Sequence, residues 1–194
     1  HPSPGGTAIA ALRIARELAA RPDDIELHLV AGKHPLAPVP EFRPSGAVAM
    51  LPLARPVLYE AWTRLNWPKV ESVTGEIDVA HATGLVPCAT SARLVVTVHD
   101  LAFLHDPAKF SRQGVRVMSR SLDVIRRRAD RLIVSSEATR RDCEAAGIPA
   151  ERLRLVPLGV DVAGQQEPLD QQVRRGSQSE ASTHNGIPTC QSRL

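Results

Sequence analysis

Apolar positions along this chain switch repeatedly between two spacings. Ile9, Leu12, Ile14, Ala15 and Leu18 mostly recur at helical intervals, with Arg13, Arg16 and Glu17 among the polar positions. The pattern predicts a helix opening at Thr7 as N-cap and stopping at Pro22. Residues 25–30 alternate and then run apolar, which predicts a strand. A proline-rich stretch over 35–44 leads to a short apolar run at 47–51, and 59–67 returns to helical spacing with Trp62 and Leu65 on one side. Strands are expected at 77–81, 93–98, 130–135 and 153–156, and helices at 112–128 and 137–146, the latter stopped by Gly147 and Pro149. Strands alternating with helices at this rhythm predict an α/β domain, a Rossmann-like parallel sheet with helices on both faces.

The periodicity fades after Asp161. Residues 163–194 are rich in Gln, Ser, Arg and Gly and hold few large apolar side chains. Such a segment does not bury enough apolar surface to offset its ordering entropy, so a folded domain is expected over 1–162 and a disordered or non-native tail over 163–194. At 194 residues the chain exceeds one typical domain and falls short of two.

Composition narrows the function classes only slightly. Hydrophobic residues make up 43% and aromatics 3%, so the core is built from Ala, Val, Leu and Ile. A net charge of +3 is too small to imply nucleic acid, and it suits anionic small molecules. Cys88, Cys143 and Cys190 lack CxxC spacing, which argues against a disulfide framework and a structural zinc site and favours a cytoplasmic protein. No run approaches the roughly 20 apolar residues of a membrane span, and no signal peptide is visible. The chain opens without an initiator Met at His1, Pro2 and Ser3, which reads as the inside of a loop.

Ligands of parallel α/β sheets bind outside the strand C-termini, so His99 and Asp100, which follow the apolar run 94–98, are the first candidates for chemistry. Imidazole suits such a place because it donates or accepts near neutral pH. Gly5, Gly6 and Thr7 precede a helix and suit a phosphate, against the plainer alternative of a loop before a capped helix. Ser135 and Ser136 are alternative N-caps of the helix at 137–146, with Thr139 in its first turn. His81, His105 and Asp106 invite a metal reading, but their spacing fits no ligand motif, and no metal or cofactor is expected. Arg112, Arg116, Arg120 and Arg127 gather on one face of the helix at 112–128. A solvated face explains them, and contact with an anionic membrane surface is the sharper alternative.

The order of these motifs carries a resemblance. Gly5 and Gly6 opening a helix, 81–84 (HATG), 96–100 (VTVHD), 130–137 (DRLIVSSE) and 156–161 (VPLGVD) together resemble the N-terminal domain of retaining GT-B glycosyltransferases of family 4, the glycogen-synthase-like and mannosyltransferase kind. The resemblance covers about residues 4–162. It implies transfer of a hexose from a nucleotide-diphosphate sugar to a hydroxyl acceptor, a glycan or a lipid-linked one, with retention. It implies His99 and Asp100 as catalytic or cleft residues, Gly5, Gly6 and Thr7 as donor-phosphate contacts, and His81, Ser136 and Thr139 along the acceptor cleft. Peripheral contact with the inner membrane face would go through the four arginines. In that family a strand precedes the Gly-Gly loop and a donor-binding domain follows the VPLGVD motif. The chain is therefore expected to be truncated at both ends and inactive alone. Rival readings are a noncatalytic binding module or degenerate remnant, a sugar-nucleotide epimerase, and a metal-dependent phosphohydrolase.

Overall fold

The computed structural model describes residues 5–34, 39–44 and 46–159. Along the chain it forms α1 (Gly6–Ala19), β1 (Leu29–Lys33), β2 (Val48–Ala54), α2 (Arg55–Leu65), α3 (Glu71–Thr74), β3 (Val79–Ala82), β4 (Arg93–Val98), α4 (Ala102–His105), α5 (Arg112–Arg128), β5 (Arg131–Val134), α6 (Glu137–Ala145) and β6 (Leu153–Leu155). Every strand pairing is parallel: β1 with β2 in a two-stranded sheet, and β3, β4, β5, β6 side by side in a second. Helices flank these parallel sheets, and the class is α/β and Rossmann-like. One compact unit runs to Leu158. The expected tail, together with Val160 and Asp161, lies outside the described residues.

The core sits on the four-stranded sheet. Leu94, Val96 and Val98 of β4 and Leu132 and Val134 of β5 are buried in one cluster with Leu122 and Ile125 of α5 and Cys143 of α6. Strands covered on both faces read as near-continuous apolar runs, which is why β4 and β5 were legible as strands. On α5, Val115, Met118, Leu122, Ile125 and Ala129 form the face turned to this cluster. Ser111 caps the helix, its Oγ accepting the Gly114 amide at 3.0 Å.

Several expectations shift. Thr7 is not the N-cap of α1: Gly5 is, because its carbonyl already accepts the amides of Ala8 and Ile9 and closes the first turn. The first strand begins at Leu29, four residues later than the alternation suggests, since the amides of Asp24 and Ile25 are spent on the Arg21 carbonyl. In α2 the helix starts at Arg55, with Pro56 in its first turn, and ends on Asn66 in the left-handed region (φ 52°). Arg120 leaves the basic face: it is half-buried and bonds Glu60 of α2 at 2.5 Å, bracing α2 against α5. Arg112, Arg116 and Arg127 remain exposed. Of the proline-rich stretch, Pro40–Phe42 forms a single 3-10 turn, and residues 35–38 and 45 lie outside the described set.

The loop entering β4 is held from below. Glu71 Oε1 accepts the Thr90 hydroxyl at 2.6 Å and the amides of Ser91 and Ala92 at 2.6 and 3.1 Å. Burial pushes the Glu71 carboxyl up, but these hydrogen bonds to its charged form outweigh burial and leave it below the ordinary glutamate value. The loop so fixed sets where β4 begins, and therefore where its tip delivers His99.

Candidate active site

Three consecutive parallel strands end side by side, and their tips carry the polar residues. Beyond β3 stand Thr83 and Gly84, beyond β4 His99 and Asp100, and beyond β5 Ser135 and Ser136. The N-terminus of α1 comes to the same edge: a Cβ built on Gly84 would lie 3.9 Å from the Thr7 methyl. The fold thus gathers Thr7, His99, Asp100 and Ser136, which are far apart in sequence.

His99 is half-buried. Its Nε2 lies 3.3 Å from the Thr83 carbonyl, a bond that requires the proton on Nε2 and leaves the lone pair of the neutral ring on Nδ1. Nδ1 has no protein partner among the described residues and is available to accept from a ligand hydroxyl. The carbonyl of His99 takes two hydroxyls, from Thr139 at 2.9 Å and Ser135 at 3.2 Å. Asp100 is exposed, and its Oδ1 accepts the Ala102 amide at 3.0 Å, a local turn that orients the loop into α4.

Gly5 and Gly6 face open space, with nothing within 4 Å of a Cβ added to either. Packing therefore does not demand glycine there, and the room beside the unpaired first-turn amides of α1 is what an anion needs. Ser136, not Ser135, caps α6: its Oγ accepts the Thr139 amide at 3.1 Å. Thr139 is buried, at 4% exposure, and its hydroxyl is committed to the His99 carbonyl. A direct contact from Thr139 to a substrate would have to break that bond.

His81 lies inside β3 instead of at its tip. Its Nε2 is 2.7 Å from Thr97 Oγ1 on the neighbouring β4, and burial holds its pKa below the ordinary histidine value. Thr97, a buried threonine in a valine-rich strand, is the partner that sequence reasoning missed, and its polarity within an apolar run was the signal. The unfolded state binds the proton more readily than the folded one, so this histidine stabilises the fold above its ordinary value and withdraws that support as pH falls below it. In urea denaturation, stability is expected to drop from about pH 7.5 to about pH 5.5, across the ordinary histidine range. The drop should be smaller in His81→Gln, and an equal drop in both proteins would contradict the assignment.

Other candidates are occupied elsewhere. His105 pairs with Asp142 at 2.9 Å and Asp106 with Lys109 at 3.0 Å, so the two do not converge on a metal. No group of three or more His, Cys, Asp or Glu among the described residues is arranged to hold one. Burial pushes the Cys88 and Cys143 thiols up to about 11, which leaves both un-ionised and poor nucleophiles. A cavity of about 380 Å³ is lined by Ala15, Ala19, Leu27, His28 and the starts of β1 and β2. Its nearest residue on α1, Ala15, lies eight residues or about 12 Å along the helix from Thr7 at 1.5 Å per residue, so the cavity does not belong to this site.

Residues 4–163 match the family model of Glycosyltransferase Family 4. The chain belongs to that family. No curated protein matches it. Among solved structures it is similar to Anabaena Alr3699/HepE in complex with UDP, at 18% identity and a TM-score of 0.52. The same protein in complex with UDP and glucose, and with UDP-glucose, gives 18% and 19% identity, each with a TM-score of 0.51. The match covers 93% of this chain and 48–49% of those chains, so the family 4 chain described here spans about half the length of the structures it resembles. At this identity the likeness establishes the fold. No helix among the described residues is long and apolar enough to cross a membrane.

Proposed function

We propose that this chain is the acceptor-side half of a retaining glycosyltransferase that moves a hexose from a nucleotide-diphosphate sugar to a hydroxyl acceptor. The observation that carries the reading is His99: it sits at the tip of β4, its ring anchored through Nε2 on Thr83 and its Nδ1 without a protein partner among the described residues. Family membership and the UDP and UDP-glucose bound by Alr3699/HepE support a nucleotide-sugar donor. The leaving diphosphate would meet the free amides of Gly6 and Thr7 and the positive end of α1, with no metal required. Asp100 and Ser136 would face the acceptor, and His81 would act from within the sheet, behind them.

Catalysis on this reading needs more chain than is described here. α1 has no fully buried residue, and among the described residues β1 pairs only with β2 and β3 only with β4. Both observations support a further strand beneath α1, between those two edges. A second nucleotide-binding domain would supply the remaining donor contacts and close over the substrates to exclude water. Arg112 and Arg116 follow the exposed Leu104 and Phe110, a basic and apolar stretch that favours a lipid-linked acceptor at an anionic membrane surface.

The test is to express the gene from its natural start to its natural stop and supply UDP-glucose with a panel of hydroxyl acceptors. UDP release that depends on acceptor, is unaffected by chelator and yields product of unchanged anomeric configuration is expected. Acceptor-independent conversion of the donor to an epimer, or hydrolysis that stops when metal is removed, would overturn the proposal.

A further inference from the structure

We infer that Thr139 is a positioning residue for His99, acting through the His99 backbone carbonyl; the inference rests on the reading of His99 as the cleft residue. β4 ends at Val98, so the carbonyl of His99 lies one residue past the strand, where it meets the loop after β5. There it accepts the Thr139 hydroxyl at 2.9 Å and the Ser135 hydroxyl at 3.2 Å, filling both lone pairs. Thr139 has one hydroxyl proton and spends it on this carbonyl. In the 3.0 Å pair between Ser136 Oγ and Thr139 Oγ1 the donor is therefore Ser136. Ser136 Oγ in turn accepts the Thr139 amide at 3.1 Å. Every proton in the relay is assigned, and the cap of α6 becomes continuous with the peptide that carries the His99 side chain.

The geometry shows why this matters for the ring. The bond from Nε2 to the Thr83 carbonyl, at 3.3 Å, is already just longer than the usual N–H···O distance of about 2.7–3.2 Å. A small rotation of the peptide following His99 lengthens it past usefulness. The Nε2–H form then loses the hydrogen bond that adds to its preference, and the fraction of rings with an open Nδ1 lone pair falls. Thr139 thus selects the tautomer of a residue it does not touch through the side chain. Its burial, at 4% exposure, keeps water from replacing the hydroxyl.

The experiment is long-range 1H–15N correlation of the His99 ring at about pH 8.5, above the ordinary histidine range, in the wild-type chain, Thr139→Val and Thr139→Ser. Wild type and Thr139→Ser are expected to show predominantly the Nε2–H form. In Thr139→Val the tautomer ratio is expected to fall by about threefold to tenfold, the change one ordinary hydrogen bond corresponds to. The His81 ring, held by Thr97, serves as the internal reference and should not move. An unchanged His99 ring in a folded but less stable Thr139→Val would overturn the proposal and leave Thr139 a purely structural contact. Should that variant not fold, Thr139→Cys, which keeps the volume but offers only a weak S–H donor, takes its place: a His99 ratio lowered relative to Thr139→Ser supports the proposal and an unaltered one overturns it. Turnover plays no part in the readout. Failure of glycosyl transfer therefore leaves the result standing, and an unchanged ring leaves the proposed transfer standing.

Discussion

Alanine in place of His99 is expected to lower kcat/KM for the proposed transfer by about 10–100-fold, the cost of one hydrogen bond to a group that gains charge in the transition state. Full general acid–base catalysis would raise the loss to roughly 10²–10⁴-fold, so initial rates distinguish a ring that binds from one that moves a proton. The fold should barely notice the change. His99 is half-buried, and its ring makes a single 3.3 Å bond, so the melting temperature should stay within a few degrees of wild type. His99→Gln keeps polarity without the imidazole geometry and is expected to lie between wild type and alanine. A loss of less than twofold in both variants, with each folded, would remove His99 from the site and with it the observation on which the functional reading rests.

The second large effect is on stability. Leu132 is fully buried in β5, where it stands opposite Val96 of β4 and Leu153 of β6 and joins the core cluster. Leu132→Ala removes apolar burial and leaves a cavity that a central strand held on both sides does not collapse to fill. The expected cost is about 2–5 kcal/mol. At about 2–4 °C per kcal/mol for a chain of this size, the melting temperature should drop by about 4–20 °C. The strand tip three residues on carries Ser135, so loosening β5 also loosens a hydroxyl that holds the His99 carbonyl. Leu104→Ala, at a side chain 46% exposed, is the matched control and should change stability by less than about 1 kcal/mol. Equal destabilisation by the two would mean that the core is not where the cluster places it.

How much of this was legible in the sequence varies by element. β4 and α5 have the ranges the periodicity predicts, 93–98 and 112–128, because each has a face or body that must be buried and that burial is written as apolar spacing. The first strand was misplaced because a turn hydrogen bond to Arg21, invisible to hydropathy, consumed the Ile25 amide at the start of the alternating run. The basic face of α5 was read one residue too wide. Arg120 lies at the border of that face, and its charge is claimed by Glu60, 60 residues earlier.

The candidate site divides the same way. Order along the chain determined the alternation of strand and helix, and with it that His99, Asp100 and the Gly-Gly turn stand at element ends, because a parallel sheet places each strand's C-terminal residues at one edge. Only the tertiary structure decided which groups those residues meet. Ser136 caps α6 while Ser135 turns to His99, Thr139 is buried under the same carbonyl, and His81 pairs across the sheet with Thr97. One-dimensional spacing encodes burial, which is averaged over many residues. A hydrogen bond between separate elements joins two particular atoms 36 or 40 residues apart, and it exists only once packing has fixed both backbones.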